Sequence, residues 1–420
     1  MGEWTLPALA VVLVAYAAVS GRLQGTWLSQ ATVFTVAGVV MAKQLVGVVE
    51  ADFAGQVVRH LAEATLALVL FTDAVRINVH VLRREARLPI RLLGVGLPLT
   101  IAAGTTAAMV LFPSMDVWTA AVLAVVLAPT DAALGELVVS DERVPPAVRR
   151  GLNVESGLND GLCVPLLIIF VTMAQTEQGD AEVRPVLVLA EEIGFGVLAG
   201  VAAGALGGWV LRTSAARGWM TVAWTQVNGV AVPLPAYTAA SALGGSGFIA
   251  AFVAGMAYGA LDPRRGEAST GLAEEAGEVL DALTFLLFGA VMVGPALEHL
   301  DLRSLGYALL SVTVVRMLPV ALALCGLGLR SPTVLFLGWF GPRGLASIVF
   351  VLLLVEESGL EGAPLVLQVV TTTVALSVLL HGVTAAPGAE RYAACFATRG
   401  EPSLSRIWEP PPRVRRRRPG

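Results

Sequence analysis

The sequence predicts an all-α polytopic membrane protein with about thirteen transmembrane helices. Two observations support this fold class. Of the 420 residues, 56% are hydrophobic and only 14% are charged, whereas roughly a quarter of the residues in soluble domains are charged. The apolar residues are also grouped in long runs, and about 20 of them in succession are needed to cross the hydrocarbon core of a membrane. A soluble globular chain is therefore excluded.

The apolar runs divide the chain into successive spans. Because Glu3 stands where a cleaved leader would be basic, we expect the first span to be retained. Gly244, Gly245 and Gly247 fit either a tight turn between the eighth and ninth spans or a kink within longer helices. The predicted spans lie near residues 6–21, 29–47, 60–78, 88–112, 117–139, 151–175, 185–211, 226–243, 246–260, 276–297, 302–328, 331–354 and 364–385.

The charges between the spans support the number of spans. Cytoplasmic loops accumulate Lys and Arg, and here every odd-numbered loop is basic while the even-numbered loops are acidic or weakly charged. This alternation predicts an external N-terminus and a cytoplasmic C-terminus in the cell membrane. The basic residues of the odd loops include Arg22, Arg83, Arg84, Arg87, Arg143, Arg149, Arg150, Arg212, Arg217, Arg264, Arg265 and Arg330.

Two of the spans are interrupted by residues that break helices. The fifth span contains Ala-Pro-Thr-Asp at 128–131, and the twelfth contains Phe-Gly-Pro-Arg-Gly at 340–344. Both breaks hold the same place in a block of six spans, and the single span between the blocks inverts the second one. Inverted repeats with paired discontinuous helices are typical of secondary transporters, so we expect the two breaks to cross near the membrane centre.

Carboxylates lie in these apolar spans where packing alone does not explain them. Asp131, Glu155 and Asp160 each cost ~2.5–3.5 kcal/mol to insert at that depth. On a helix, Ser156 and Asp160 share one face, and Glu155 shares the adjacent stripe with Asn159. Oxygen ligands thus converge from two spans, which suits a hard cation.

At these residues the chain resembles the cation:proton antiporter-1 family, the sodium/proton antiporters and exchangers, over essentially the whole membrane region. The order and spacing of three motifs support the resemblance. They are Thr130-Asp131 in an interrupted helix, Glu155-Ser156-x-x-Asn159-Asp160, and Gly341-x-Arg343-Gly344.

The resemblance implies a role for each matching residue. Asp131 and Asp160 are expected to bind the cation and exchange protons, and Ser156 and Thr130 to supply further oxygens. Asn159 is expected to stabilise the crossing of the two interrupted helices. A sodium ion is thus expected at Asp131, Asp160, Ser156 and Thr130.

Other polar residues are assigned to the scaffold or the access path. The resemblance implies that Glu155 and Arg343 form a buried ion pair between the sixth and twelfth spans. Asp73, near the cytoplasmic end of span three, fits either an access path for cations or a water-facing cap. Arg316 is expected to anchor a polar network in span eleven. Ala132 departs from the family, whose members often have a second proline there, so the break is expected to differ in shape.

Family architecture also implies a domain organisation. Within a transmembrane domain of residues 1–385, we expect a moving core domain (88–175 and 302–385), a dimerisation domain (1–78 and 226–297) and a linker helix (185–211), assembled as a homodimer. Residues 386–420 end in a run of arginines and are too polar to form a core, so they are expected to be disordered and attracted to anionic lipid.

The implied activity is exchange of Na⁺ for H⁺ by competition at the carboxylates with alternating access, in the service of pH homeostasis. The neutral Asn159 beside Asp160 predicts one-for-one, electroneutral exchange. A K⁺(Na⁺)/H⁺ antiporter remains an alternative, because the sequence does not distinguish Na⁺ from K⁺ or Li⁺. The expected partners are the cation, protons, membrane lipids and a second copy of the chain, with no cofactor and no nucleic acid.

Enzyme and channel functions fit the sequence less well. Ser246 in the cluster 244–247, with a distant His381, suggests an intramembrane serine protease, but such Gly/Ser clusters commonly allow close helix packing. An intramembrane aspartyl protease would not need the paired breaks or the adjacent Asn159. A channel requires weak binding along an open path, whereas two convergent carboxylates form one strong site.

Overall fold

In the computed structural model, each of the thirteen predicted spans contains a helix, although several helices begin or end elsewhere than predicted. The structure describes residues 5–399 apart from 24–25, 27, 44, 48–55, 77–86, 132–133, 136–137, 139, 180–184, 263–265, 267 and 358, and within these residues it contains no strand. We number the helices by span: α1 (Thr5–Leu23), α2 (Gln30–Met41), α3 (Gln56–Val75), α4 (Arg87–Leu111), α5 (Val117–Val126), α6 (Pro146–Glu177), α7 (Pro185–Ala216), α8 (Val222–Ala231 and Pro233–Ala242), α9 (Gly247–Leu261), α10 (Gly271–His299), α11 (Leu302–Leu324), α12 (Ser331–Trp339 and Leu345–Glu357) and α13 (Ala363–Arg399).

Seven of the described helices are long and apolar enough to cross a membrane, judged by length and composition: α1, α4, α6, α7, α10, α11 and α13. Helices α2, α5, α9 and the second half of α12 are equally apolar but shorter. Both broken spans are in the shorter group, because each is interrupted by non-helical backbone. The chain is therefore an integral multi-pass membrane protein.

The glycine cluster between α8 and α9 forms a tight turn rather than a kink. Helix α8 ends at Ala242, and Gly244 has a φ of 80°, a left-handed conformation that only glycine adopts without strain. The side chain of Ser246 then accepts a hydrogen bond from the Ile249 amide and begins α9 as its N-cap. Of the two alternatives that the sequence left open, the tight turn is therefore the one that the structure contains.

The C-terminal part of the chain corrects one prediction. Helix α13 continues through Pro387 to Arg399, so residues 386–399 are helical rather than disordered. Packing explains why the proline does not end the helix: Tyr392 stacks on Phe336 with ring centroids 4.2 Å apart, and its hydroxyl lies 3.0 Å from the Thr333 hydroxyl. The remainder of the predicted tail, residues 400–420, lies outside the described residues.

The two broken helices occupy the centre of the protein. Every residue from 119 to 130 is buried, and so is every residue from 340 to 352. These stretches contain both breaks and the fully buried Val122, Val125 and Val351 of the largest apolar core. Irregular backbone at membrane depth is tolerated where protein surrounds it, which is the environment these residues have.

Candidate functional site

The breaks of α5 and α12 lie against each other. Helix α5 ends at Val126, the first half of α12 ends at Trp339, and its second half begins at Leu345. The backbone amide of Asp131 donates a hydrogen bond of 2.8 Å to the carbonyl oxygen of Pro342. The crossing that the sequence predicted is thus made by the backbone of the two interrupted segments.

Each broken helix supplies a charged group that caps the other. The Nη1 atom of Arg343 donates to the carbonyl oxygens of Ala128 at 2.8 Å and Pro129 at 3.2 Å, just beyond the C-terminus of α5. The Oδ2 atom of Asp131 accepts a hydrogen bond of 2.9 Å from the Leu345 amide at the N-terminus of the second half of α12. A cation therefore faces a helix C-terminus and an anion faces a helix N-terminus, and both arrangements are electrostatically favourable.

The buried ion pair of this region differs from the one expected. Glu155 pairs with Arg316 of α11, Nη1 to Oε1 2.6 Å, and both side chains are almost completely buried. The prediction that Glu155 pairs with Arg343 is wrong, because the Nη1 atom of Arg343 is directed to the carbonyl oxygens after α5. The ion pair therefore joins α6 to α11, and Arg316 is the network residue that the sequence had indicated.

Two glycines of the α12 break allow these contacts. A Cβ atom on Gly344 would overlap the carboxylate of Asp131, and one on Gly341 would overlap the guanidinium of Arg316. Neither glycine has a positive φ, so the requirement is for space rather than for an unusual backbone conformation. The glycines in the predicted motif Gly341-x-Arg343-Gly344 therefore leave space at the break for the side chains of Arg316 and Asp131.

We expect Gly344→Ala to lower the melting temperature of the purified protein. The added methyl group displaces Asp131 from the Leu345 amide, so an N-cap is lost, which typically costs ~1 kcal/mol. Gly306→Ala in α11 is the control, because a Cβ atom added at Gly306 would meet no other atom within 4 Å. Alanine favours a helix over glycine, so this control should melt at the wild-type temperature or above it. Equal melting temperatures for Gly344→Ala and wild type would contradict the assigned contact.

The other predicted site residues meet at Thr130. The hydroxyl of Ser156 donates to the Thr130 carbonyl oxygen, and Nδ2 of Asn159 donates to the Thr130 hydroxyl at 2.7 Å. Ser156, Asn159 and Asp160 belong to one uninterrupted stretch of α6, so their spacing on the helix directs them together. The structure thus brings Thr130, Asp131, Ser156, Asn159 and Asp160 into one site.

Two oxygens of this site accept no hydrogen bond from the residues that the structure describes. Within the described part of the chain, neither Oδ1 of Asn159 nor Oδ1 of Asp160 accepts a hydrogen bond, although both atoms are buried. The charges of Asp131 and Asp160 also act on each other. A cavity of about 10 Å³, room for one water-sized species, is lined by Thr130, Asp131 and Ser156. The oxygens of Asn159 and Asp160, together with those of Thr130, Asp131 and Ser156 beside the cavity, suit a largely dehydrated hard cation, or a proton on a carboxylate.

Asp73 is adjacent to this site. A Cβ atom on Gly157 would lie 3.2 Å from the Cβ atom of Asp73, so α3 packs against α6 one residue after Ser156. The charge of Asp73 acts on both Asp131 and Asp160. The site therefore lies where α3, from the predicted dimerisation domain, meets α6 of the predicted core.

Besides Glu63 of α3, which pairs with Arg59, the sequence reasoning overlooked one buried carboxylate, Asp281 of α10. Its position inside an apolar span was the signal, and it is the same signal that identified Asp131 and Asp160. The serine and histidine that suggested a protease do not act together: Ser246 caps α9, while the ring nitrogens of His381 lie 2.9 Å from the carbonyl oxygens of Ser377 and Trp339.

One open vestibule contacts Leu134, three residues after Asp131, and another contacts α6 from Val164 onward, beyond Asp160. One has a volume of about 620 Å³ and is lined by residues at the basic-loop end, among them Leu23, Leu134, Ser140 and Glu278. The other has a volume of about 550 Å³ and is lined at the opposite end by residues that include Arg59, Gln175 and Ser246. Each vestibule is lined by residues of both predicted domains.

Comparison with known proteins identifies one family across the chain. The family described as sodium/hydrogen exchanger, transmembrane, matches residues 9–391. Among curated relatives, a K(+)/H(+) antiporter NhaP2 of Shewanella sp. strain ANA-3 is 25% identical over 268 residues, and its counterpart in Shewanella oneidensis is 24% identical over 263 residues. Each alignment covers 62% of this chain and 45% of the relative, so the chain spans less than half the length of these relatives.

The fold is shared with solved structures. The sodium proton antiporter MjNhaP1 from Methanocaldococcus jannaschii matches with a TM-score of 0.76 and 18% identity, covering 93% of this chain and 97% of that protein. An electron-microscopy structure of the same antiporter matches with a TM-score of 0.74, covering 98% of this chain and 100% of that one. At this level of identity the match shows a common fold.

Proposed function

Because this chain belongs to the sodium/hydrogen exchanger transmembrane family, we propose that it is a secondary transporter that exchanges a monovalent cation for protons. Members of the family are antiporters rather than enzymes. The observation that supports the proposal most directly is the meeting of Asp131 and Asp160 at the crossing of the broken helices. There, the Oδ1 atoms of Asp160 and Asn159 are buried and accept no hydrogen bond from any described residue.

In the proposed mechanism, cation and proton compete for the same oxygens. With the carboxylates ionised, a cation is held by Asp131 and Asp160, with Ser156, Thr130 and Asn159 completing the oxygen shell. With a proton on the pair, one of the two charges that hold the cation is neutralised, and the cation leaves. Alternating access to the two vestibules then exchanges one ion for the other across the membrane.

The partners of the other buried charges support one-for-one exchange. Arg316 neutralises Glu155, and Arg343 is held by the carbonyl oxygens beyond α5, so neither charge takes part in the cycle. The exchangeable charge is then limited to Asp131 and Asp160. If one cation replaces one proton there, the loaded and protonated states carry equal charge, and exchange is electroneutral.

The remaining elements of the proposal concern organisation. Residues 88–175 and 302–385 form the moving core, residues 1–78 and 226–297 form the dimerisation domain of a homodimer, and 185–211 is the linker helix. The N-terminus is external and the C-terminus cytoplasmic, in a lipid bilayer of the cell membrane. Asp73 of α3 belongs to the access path of the cation. The physiological role is pH homeostasis.

Potassium is a second candidate for the transported cation. The curated relatives are named as K(+)/H(+) antiporters, whereas the family description and the solved structures name sodium. We propose Na⁺ as the principal substrate and K⁺ as the alternative. The oxygen ligands of the site accept either ion, and the size of the coordination shell decides between them.

We expect purified protein in liposomes to dissipate an imposed pH gradient when Na⁺ is added, with Li⁺ and K⁺ measured in parallel. Because proton and cation compete, the apparent KM for the cation should rise with the proton concentration on the same side. A membrane potential should leave the equilibrium of exchange unchanged, although it acts on each net charge with ~2.3 kcal/mol per 100 mV. Absence of cation-driven proton flux for every alkali cation would contradict antiport, and potential-driven proton uptake against balanced gradients would contradict one-for-one exchange.

A further inference from the structure

A stripe of carboxylates runs along α10 toward the exchange site. Glu274, Glu278 and Asp281 are spaced by four and three residues, so they share one face of the helix. Glu274 is neutralised by an ion pair with Arg76. Glu278, one turn further, is exposed and lines the vestibule of about 620 Å³. Asp281 follows one turn deeper, where the helix becomes buried.

Asp281, like Asp160, has a buried carboxylate oxygen that accepts no hydrogen bond from the described residues. Asp281 is only 7% exposed, and its Oδ1 atom accepts no hydrogen bond from any residue that the structure describes. By contrast, Asp131 accepts hydrogen bonds from the Leu134 and Leu345 amides. A buried charge is strongly destabilising unless something pairs with it, so the Asp281 carboxylate needs a proton or a cation as its partner.

The position of Asp281 connects the vestibule with the exchange site. Its helical neighbours Glu278 and Ala282 line the vestibule, which also touches Leu134, three residues after Asp131. The charges of Asp131 and Glu278 both act on Asp281. Helix α10 packs chiefly against α2 and α3, so Asp281 belongs to the predicted dimerisation domain.

We propose that Asp281 is a third ion-binding carboxylate, an access site that holds a monovalent cation or a proton between the Glu278 vestibule and Asp131. The inference rests on the proposed antiport and adds a second binding step to it. Because its helical neighbours Glu278 and Ala282 line this vestibule, Asp281 serves ions that enter from that face. An ion leaving bulk water for a dehydrated site would first exchange part of its hydration shell for this carboxylate.

The test compares wild type with Asp281→Asn in right-side-out and everted membrane vesicles, using Na⁺-driven proton flux. A single charge acting inside a protein changes cation binding by roughly tenfold. We therefore expect the apparent KM for Na⁺ to rise about tenfold in the vesicles whose outer face bears the Glu278 vestibule. The KM in vesicles of the opposite orientation and the maximal rate should remain close to wild type.

Glu275→Gln is the matched control, since Glu275 is an exposed carboxylate of the same helix that does not line the vestibule. It should leave the KM unchanged in both orientations. Asp281→Glu, which retains the charge, should keep a KM near that of wild type, and Asp281→Ser serves as the neutral variant if Asp281→Asn does not insert. An unchanged KM in both orientations would overturn the access site, and so would an equal rise in both. If wild type itself shows no cation-driven flux, the proposed antiport fails. That result differs from an active wild type whose KM is unchanged by Asp281→Asn, which overturns only the access site.

Discussion

Asp160→Asn is expected to abolish cation-driven proton exchange in proteoliposomes while leaving a folded, membrane-inserted protein. Asp160 lies at the centre of the site, buried, with an Oδ1 atom that accepts no hydrogen bond from the described residues. Asparagine has nearly the same volume, but its amide can neither release a proton nor neutralise a cation. Because both half-reactions need the carboxylate, we expect flux no greater than that of empty liposomes for every alkali cation.

Glu177→Gln is a suitable control for this experiment. It removes one carboxylate from the same helix, α6, at its exposed end, and should leave both flux and melting temperature as in wild type. Asp160→Asn should also melt near the wild-type temperature, because no described residue donates a hydrogen bond to its Oδ1 atom. Residual exchange by a well-folded Asp160→Asn protein would show that Asp131 alone supports the cycle, contrary to the proposed mechanism.

The largest effect on stability is expected for Arg316→Ala. This substitution leaves Glu155 as a buried charge without its partner, a change that typically costs ~3–5 kcal/mol. Glu155→Ala should have a comparable cost, because the guanidinium of Arg316 is then the unpaired charge. Thermal unfolding in detergent measures both effects. A melting temperature within error of wild type for Arg316→Ala would contradict the pairing.

A double-mutant cycle distinguishes the two possible partners of Glu155. The variant with both Glu155→Ala and Arg316→Ala should lose much less stability than the sum of the single variants, since no buried charge is left over. The cycle of Glu155→Ala with Arg343→Ala should be closer to additive, because Arg343 donates to the carbonyl oxygens of Ala128 and Pro129. Strong coupling of Glu155 to Arg343 in place of Arg316 would restore the expectation drawn from the sequence.

The contrast between these two arginines shows where sequence reasoning ended. Glu155, Arg316 and Arg343 were each recognisable as charges inside apolar spans, and all three are buried in the structure. Their pairing was not recognisable, since Glu155 and Arg316 are 161 residues apart and their side chains meet only in the folded protein. Which of two buried arginines reaches a given carboxylate depends on helix rotation, and no local pattern specifies that.

The prediction for the C-terminal region failed for a related reason. Pro387 and a polar, arginine-rich ending favoured disorder from residue 386, yet the helix continues to Arg399. Its stability comes from contacts with the first half of α12, where Tyr392 stacks on Phe336. Proline removes one backbone hydrogen bond, and the packing of the helix compensates for that loss.

By itself, the sequence determined the properties that depend on neighbouring residues. The apolar runs specified the spans, Pro129 and the glycines at 341 and 344 specified the breaks, and the helical spacing from Ser156 to Asp160 specified which site residues share a face. Only the tertiary structure decided that Arg343 and Asp131 each cap the other's helix, that Glu155 pairs with Arg316, and that Asp281 is buried. Burial and periodicity are local properties of the chain, whereas the partner of a buried charge is chosen by segments that become neighbours only on folding.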